Sequence, residues 1–228
     1  MCGRYTLFAN YEDIIERFHI EAGIAEEEYE RSYNIAPSQQ VLSVINDGSI
    51  NRLGYLKWGF VPSWAKEEKV GYKLINARAE SLADKPSFRH AYRKRRSLII
   101  ADSFYEWKRS GDSKIPIRIK LKSNRLFAMA GLWEAWLSPE GRKLYTCSII
   151  TTEANKLMSQ IHDRMPVILP REEESKWLNP ALHDTSVLSQ LLKPFDEELM
   201  EAYEVSSALN SPKNNYADLI KRKESTNN

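Results

Sequence analysis

The sequence predicts an α+β protein with an antiparallel-rich β core and flanking helices. Two observations carry this. Short apolar runs of strand character outnumber helical segments and are joined by short connections. Helices do not alternate with strands regularly enough for a doubly wound parallel sheet.

Each element has its own local signal. Ile14, Ile15 and Phe18 recur at helical spacing and predict a short amphipathic helix over 11–20. Residues 41–45 and 53–58 flank Asn46-Asp47-Gly48, a hairpin signal. Pro86 fits the first turn of a helix over 86–96. Residues 97–101 form a short apolar strand. Ile115, Ile117, Ile119 and Leu121 alternate with Pro116, Arg118 and Lys120, the period of a half-buried strand. Two more strands are predicted over 126–132 and 144–150. Thr152 is placed to cap a helix running to about His162. Pro170 and the three acids that follow Arg171 open another helix, with negative charge at its positive end. A last short helix is expected over 186–192. No repeat or linker divides the chain. One domain over 1–218 is expected, followed by a polar, frayed tail over 219–228.

Of 228 residues, 42% are apolar and 28% charged, which is ordinary globular composition. No apolar run is long enough to span a bilayer, and the first residues lack the pattern of a secretory signal. A monomer in the cytoplasm, with no membrane contact, is the expectation. The two cysteines, Cys2 and Cys147, make no zinc-binding spacing, so neither a metal nor another cofactor is predicted. The net charge of +2 is small, so any nucleic-acid binding must come from local clustering.

Four residues have the chemistry of a reaction centre. Removal of Met1 would leave Cys2 with a free α-amine and a thiol. Their ordinary pKa values are about 8 and about 8.5, so both are partly nucleophilic near neutrality. Such a 1,2-aminothiol condenses with an aldehyde to an imine and then to a five-membered thiazolidine. By position alone the plainer reading, an incidental residue in a terminal strand, carries more weight. His162, in Gln-Ile-His-Asp-Arg-Met-Pro, suits acid–base work or an ordinary helix end. Glu106 is a carboxylate among Phe104, Tyr105 and Trp107, fit for proton transfer or for an exposed strand face. Asn76 could orient a nucleophile, and Arg78 could hold a phosphate; an ordinary turn explains them equally. Trp58, Pro62, Trp64 and Trp107 could stack on or wedge between unpaired bases. Arg4, Arg78 and Arg164 could grip phosphates. The basic run from Arg89 to Arg96 reads as a solvated helix face.

Eight ordered blocks change the weighting. They are Met-Cys-Gly-Arg-Tyr at 1–5, Tyr33-Asn-Ile-Ala-Pro37, Trp58-Gly-Phe-Val-Pro62 with Trp64, and Ile75-Asn-Ala-Arg-Ala-Glu80. The others are Ala101-Asp-Ser-Phe-Tyr-Glu-Trp107, Phe127-Ala-Met-Ala-Gly-Leu-Trp-Glu134, Ser148-Ile-Ile-Thr-Thr-Glu-Ala-Asn155 and Ile161-His-Asp-Arg-Met-Pro166. Together they resemble the SOS-response-associated peptidase (SRAP) family, up to about Pro170. Ser97, Ile100 and Ser103 depart from the family's Cys-Leu-Ile-Pro segment and from its glycine before Phe; none is a residue of the proposed chemistry.

The resemblance implies a barrel-like fold and a covalent cross-link to an abasic site in single-stranded DNA or a single–double-strand junction. It implies a Schiff base from the Cys2 amine, closed by the thiol. Glu106 would promote sugar ring opening, His162 would move protons, and Asn76 would position Cys2. Arg4, Arg78 and Arg164 would contact the strand, and Pro37, Trp64 and Trp107 would shape it, with Asn34 and Thr151 nearby. It also implies association with the nucleoid at damaged DNA. Two other activities use parts of this set: a thiol autopeptidase built from Cys2, His162 and Glu106, and a non-covalent single-strand binding module.

Overall fold

The computed structural model describes residues 2–224. In chain order the strands are β1 (Tyr5–Leu7), β2 (Ile20–Gly23), β3 (Ser32–Ile35), β4 (Gln40–Asn46), β5 (Asn51–Trp58), β6 (Asn76–Arg78) and β7 (Arg96–Ala101). They continue with β8 (Ser103–Ser110), β9 (Ser113–Leu121), β10 (Phe127–Leu137), β11 (Lys143–Glu153), β12 (Arg164–Pro166), β13 (Ile168–Leu169) and β14 (Met200–Glu204). Four short helices flank them: α1 (Tyr11–Arg17), α2 (Arg89–Lys94), α3 (Arg171–Leu178) and α4 (Thr185–Ser189). The α+β, antiparallel-rich expectation holds.

The larger sheet closes on itself. Strand β4 pairs with β7, β7 with β10, and β10 with β11, all antiparallel. Parallel pairing of β11 with β5, and antiparallel pairing of β5 with β4, completes the ring. Closure leaves no open edge among these five strands. By the cross-strand register one face carries Ile99, Met129 and Ile149 and the other Val44 and Leu98, all buried. At the seam, Gly59 N–H donates to Cys147 O (2.9 Å) and Trp58 Nε1 to Ile75 O (2.8 Å). The second sheet runs β14-β9-β8-β1-β3. Its strand β1 follows Cys2 closely and lies between β8 and β3.

The hairpin β4–β5 forms around Asn46-Asp47-Gly48, with Gly48 at positive φ. Helices α1 and α2 are shorter than their periodicity implied. Thr152 is not a helix cap. It lies inside β11, buried and opposite Met165. The β-branched run Ile149-Ile-Thr-Thr152 extends an existing ladder, which outweighs a cap signal. Asn155, just past the strand, meets the next turn instead. Its Oδ1 accepts from Met158 N–H (2.9 Å) at the start of a single 3₁₀ turn, Met158–Gln160.

The two serines that depart from the family pattern behave differently. Ser103 Oγ meets Thr6 Oγ1 (2.6 Å) and accepts from Arg118 Nε (2.9 Å), tying β1, β8 and β9. Ser97 Oγ is buried with no hydrogen-bond partner among the described residues. The C-terminal packing runs past residue 218. Leu219 is fully buried with Tyr105, Val205 and Leu209, and Lys223 N–H donates to Glu204 O (2.9 Å). Of the tail expected to fray, 219–224 is therefore held against the sheet, and 225–228 lies outside the described residues. Among the described residues no helix is long and apolar enough to cross a membrane.

Candidate active site

Residue 2 is fixed by two neighbouring elements. Tyr105 N–H donates to Arg4 O (2.9 Å), so the residues before β1 run alongside β8, which carries Glu106. Asn76, first residue of β6, donates from Nδ2 to Cys2 O (2.9 Å). Asn76 is brought there because β6 pairs with β11, Asn76 opposite Ile149.

Cys2 and Glu106 are both buried, at 0% and 2% exposure. Burial first, and then the Glu106 negative charge, push the Cys2 thiol well above its usual range. A thiol in this setting is held protonated. A buried, protonated thiol is a weak starting nucleophile.

Glu106 and His162 line one pocket of about 390 Å³, with Trp107, Arg109, Lys114 and Asn210. His162 precedes β12, and its backbone N–H is held by Met158 O (2.8 Å). Arg164 N–H points at His162 Nδ1 (3.0 Å), and Asp163 Oδ1 lies 2.7 Å from the same nitrogen. One nitrogen cannot accept from the first and donate to the second at once, so the tautomer decides which contact is made.

Trp107 is held from below. Its Nε1 donates to Asn210 Oδ1 (2.8 Å), and the Arg4 guanidinium lies 5.7 Å from its ring centre. Arg4 Nη1 donates to Asn34 Oδ1 (2.7 Å) and Leu209 O (2.9 Å). Asn34, also buried, donates to Ser211 O (3.0 Å) and Asn214 O (2.7 Å). Arg4 and Asn34 thus spend hydrogen bonds on the C-terminal turn under Trp107.

Arg78, Thr151 and Arg164 lie on three adjacent strands, with Thr151 opposite both Arg78 and Pro166. Arg164 donates to Glu80 and to Thr151 O (2.6 Å). Trp64 is 63% exposed on the loop after β5, and Pro37 is half-buried in the turn after β3. Neither lines the pocket.

Arg109, Lys114 and Asn210 carry no motif that marks them in the sequence. Alternation along β8 did hold a signal, since Trp107 and Arg109 share a face and Lys114 pairs with Arg109. A larger cavity, about 1120 Å³, is lined by residues such as Phe8, Asp102, Phe127 and Phe195; none of the predicted site residues lines it.

With this geometry in view, the comparisons decide the family. The SOS response associated peptidase (SRAP) model matches residues 1–212. The chain belongs to the SRAP family. Among SRAP relatives, the abasic site processing protein YoqW of Bacillus subtilis is 61% identical over 221 residues, covering 96% of this chain and 99% of that protein. The abasic site processing protein HMCES of Xenopus tropicalis is 32% identical over 220 residues, covering 83% of this chain and 65% of that protein. A crystal structure of a protein from Bacteroides thetaiotaomicron superposes with a TM-score of 0.89 at 30% identity, covering 98% of this chain and all of that one, 100%.

Proposed function

We propose that this chain captures abasic sites in single-stranded DNA by forming a covalent adduct on residue 2 after Met1 is removed. The observation that carries this is the convergence of Asn76 and Glu106 on Cys2. Relatives named for abasic site processing support the substrate class.

The chemistry follows from the groups present. Glu106 takes the proton of the C1′ hydroxyl of the sugar and returns one to the ring oxygen, opening the hemiacetal to an aldehyde. The Cys2 α-amine attacks C1′. His162, or Glu106 in its acid form, protonates the departing hydroxyl, and loss of one water gives the imine. The thiol S–H then adds across C=N: sulfur bonds to C1′, the proton goes to nitrogen, and a thiazolidine closes. The burial that keeps the thiol protonated suits this order, with amine first and thiol second.

Asn76 holds residue 2 in register through its carbonyl. Arg78 and Arg164, with Thr151 between them, contact phosphates. Trp107 fills the space of the missing base, seated by Arg4 and Asn34, while Trp64 and Pro37 guide the strand outside the pocket. Arg109 and Lys114 add positive charge at the pocket. An abasic strand kinks cheaply because it has one base fewer to unstack.

The thiol autopeptidase reading needs a ready thiolate, which burial and Glu106 oppose. The non-covalent binding module leaves the Asn76 hydrogen bond to Cys2 O and the Glu106 charge near the Cys2 thiol unused.

A denaturing gel tests the proposal. Wild-type protein and a single-stranded oligonucleotide with one abasic site are expected to give a slow-migrating adduct, and intact DNA none. Cys2→Ala still has an amine at position 2, so it should give an adduct only when borohydride reduces the imine. No wild-type adduct would sink the covalent reading.

A further inference from the structure

One carboxylate pairs with Arg164, an arginine assigned to phosphates. Glu80 lies in the 3₁₀ turn Ala79–Ser81, directly after β6. Its two oxygens accept from Arg164 Nη1 (2.7 Å) and Nη2 (3.0 Å). The hydrogen bond from Arg164, with Arg78 adding its charge, holds Glu80 below the usual carboxylate range, so it is an anion at neutral pH. The partners differ in freedom. The Arg164 side chain is 14% exposed and also tied to Thr151 O, whereas the Glu80 side chain is 55% exposed. The cation is fixed and the anion is wet.

A guanidinium fork binds a carboxylate and a phosphate through the same geometry. We propose that Glu80 is a built-in phosphate surrogate: it occupies the Arg164 fork in the free protein and gives way to a backbone phosphate of the bound strand. This rests on the phosphate role of Arg164 proposed above. Glu80 is then a positioning and specificity residue. It keeps Arg164 aimed while unliganded, and it makes each passing strand compete for the fork. A strand also held in the Glu106–His162 pocket presents its phosphate at high effective concentration and wins that competition. An intact strand, lacking that second hold, stays weakly bound.

The test uses the full chain and an intact single-stranded oligonucleotide without an abasic site, followed by fluorescence anisotropy over a range of salt. Glu80→Gln keeps the shape and one accepting oxygen but removes the charge; Glu80→Ala is a second charge-removing variant, and Glu80→Asp retains the charge. Glu80→Gln is expected to bind roughly 3- to 5-fold tighter, as expected for losing one exposed competing ion pair. Its log–log salt slope should steepen by about one contact. Glu80→Asp should bind as wild type. Arg164→Ala should bind more weakly, and Glu80→Gln added to it should bring no gain. Equal or weaker binding by both charge-removing variants overturns the surrogate role, as does a gain that survives without Arg164. Unchanged affinity in Arg164→Ala instead overturns the phosphate role of Arg164 itself.

Discussion

At the scale of single residues, the site is a problem of holding residue 2 still. Its carbonyl is gripped by Asn76 Nδ2, a neutral donor that leaves the amine of the proposed attack untouched. Asn76→Ala should slow adduct formation by about 10- to 100-fold in single-turnover gels, the scale at which misplaced reactants lose rate. Its melting temperature should fall by only a few degrees, the cost of leaving one buried carbonyl without its donor. A mutant that cross-links at the wild-type rate would remove Asn76 from the mechanism. Asp102, outside the site, carries a separate prediction. Burial pushes its carboxyl up to about 6, against the backbone N–H of Phe8, which favours the ionised form. The folded protein therefore holds a proton that the unfolded chain, with an ordinary aspartate near 4, has released. That stability is fully present below about pH 4 and is lost as pH rises through about 6, up to about 3 kcal/mol. Asp102→Asn should flatten the fall in melting temperature between those pH values. A slope unchanged by the substitution would contradict the assignment.

At the scale of elements, close approaches set what the barrel seam tolerates. A Cβ on Gly71 would lie 2.5 Å from Gly59 O and 3.0 Å from Val61 Cγ2, and Gly59 itself sits at positive φ (+141°). Gly71→Ala should cost about 1–3 kcal/mol through overpacking, read as a lower denaturant midpoint. Such elements differ in how plainly their sequences announce them. Strands β4, β5 and β9 and helix α3 carry their own period or turn, and their local pattern reaches the right element. Strands β1, β6, β12 and β13 have two or three residues each, too few to show alternation. They exist because a distant partner is already in place: β6 pairs with β11 some seventy residues on. Thr152 shows the converse, a local cap signal overridden by a ladder. The site divides the same way. Cys2, Asn76, Glu106 and His162 were legible as a set only through the ordered blocks. The pairing of Arg164 with Glu80 spans 84 positions and leaves no local trace. Arg109 and Lys114 look like any solvated hairpin until Trp107 and Asn210 place them at a pocket.

At the scale of the molecule, two sheets meet where the chain begins. The closed sheet supplies Asn76, Arg78, Thr151 and Arg164 from its β6–β11–β12 edge, and the second sheet supplies Glu106 and Trp107 from β8. Cys2 lies between them. With a net charge of +2, the proposed DNA binding rests on this local convergence rather than on the overall field. The hydrogen bonds from Asn76 to Cys2 O and from Tyr105 N–H to Arg4 O tie the two sets of groups together, the fixed relation that the proposed capture chemistry requires. In the proposed chemistry residue 2 is the point of attachment. Tandem mass spectrometry of the digested adduct, formed on a single-stranded oligonucleotide with one abasic site, tests this most directly. The expected product is a peptide that begins at Cys2, carries the sugar with loss of one water, resists borohydride and no longer reacts with a thiol alkylator. A cross-link on any other residue, or on a peptide that still begins with Met1, would contradict the account.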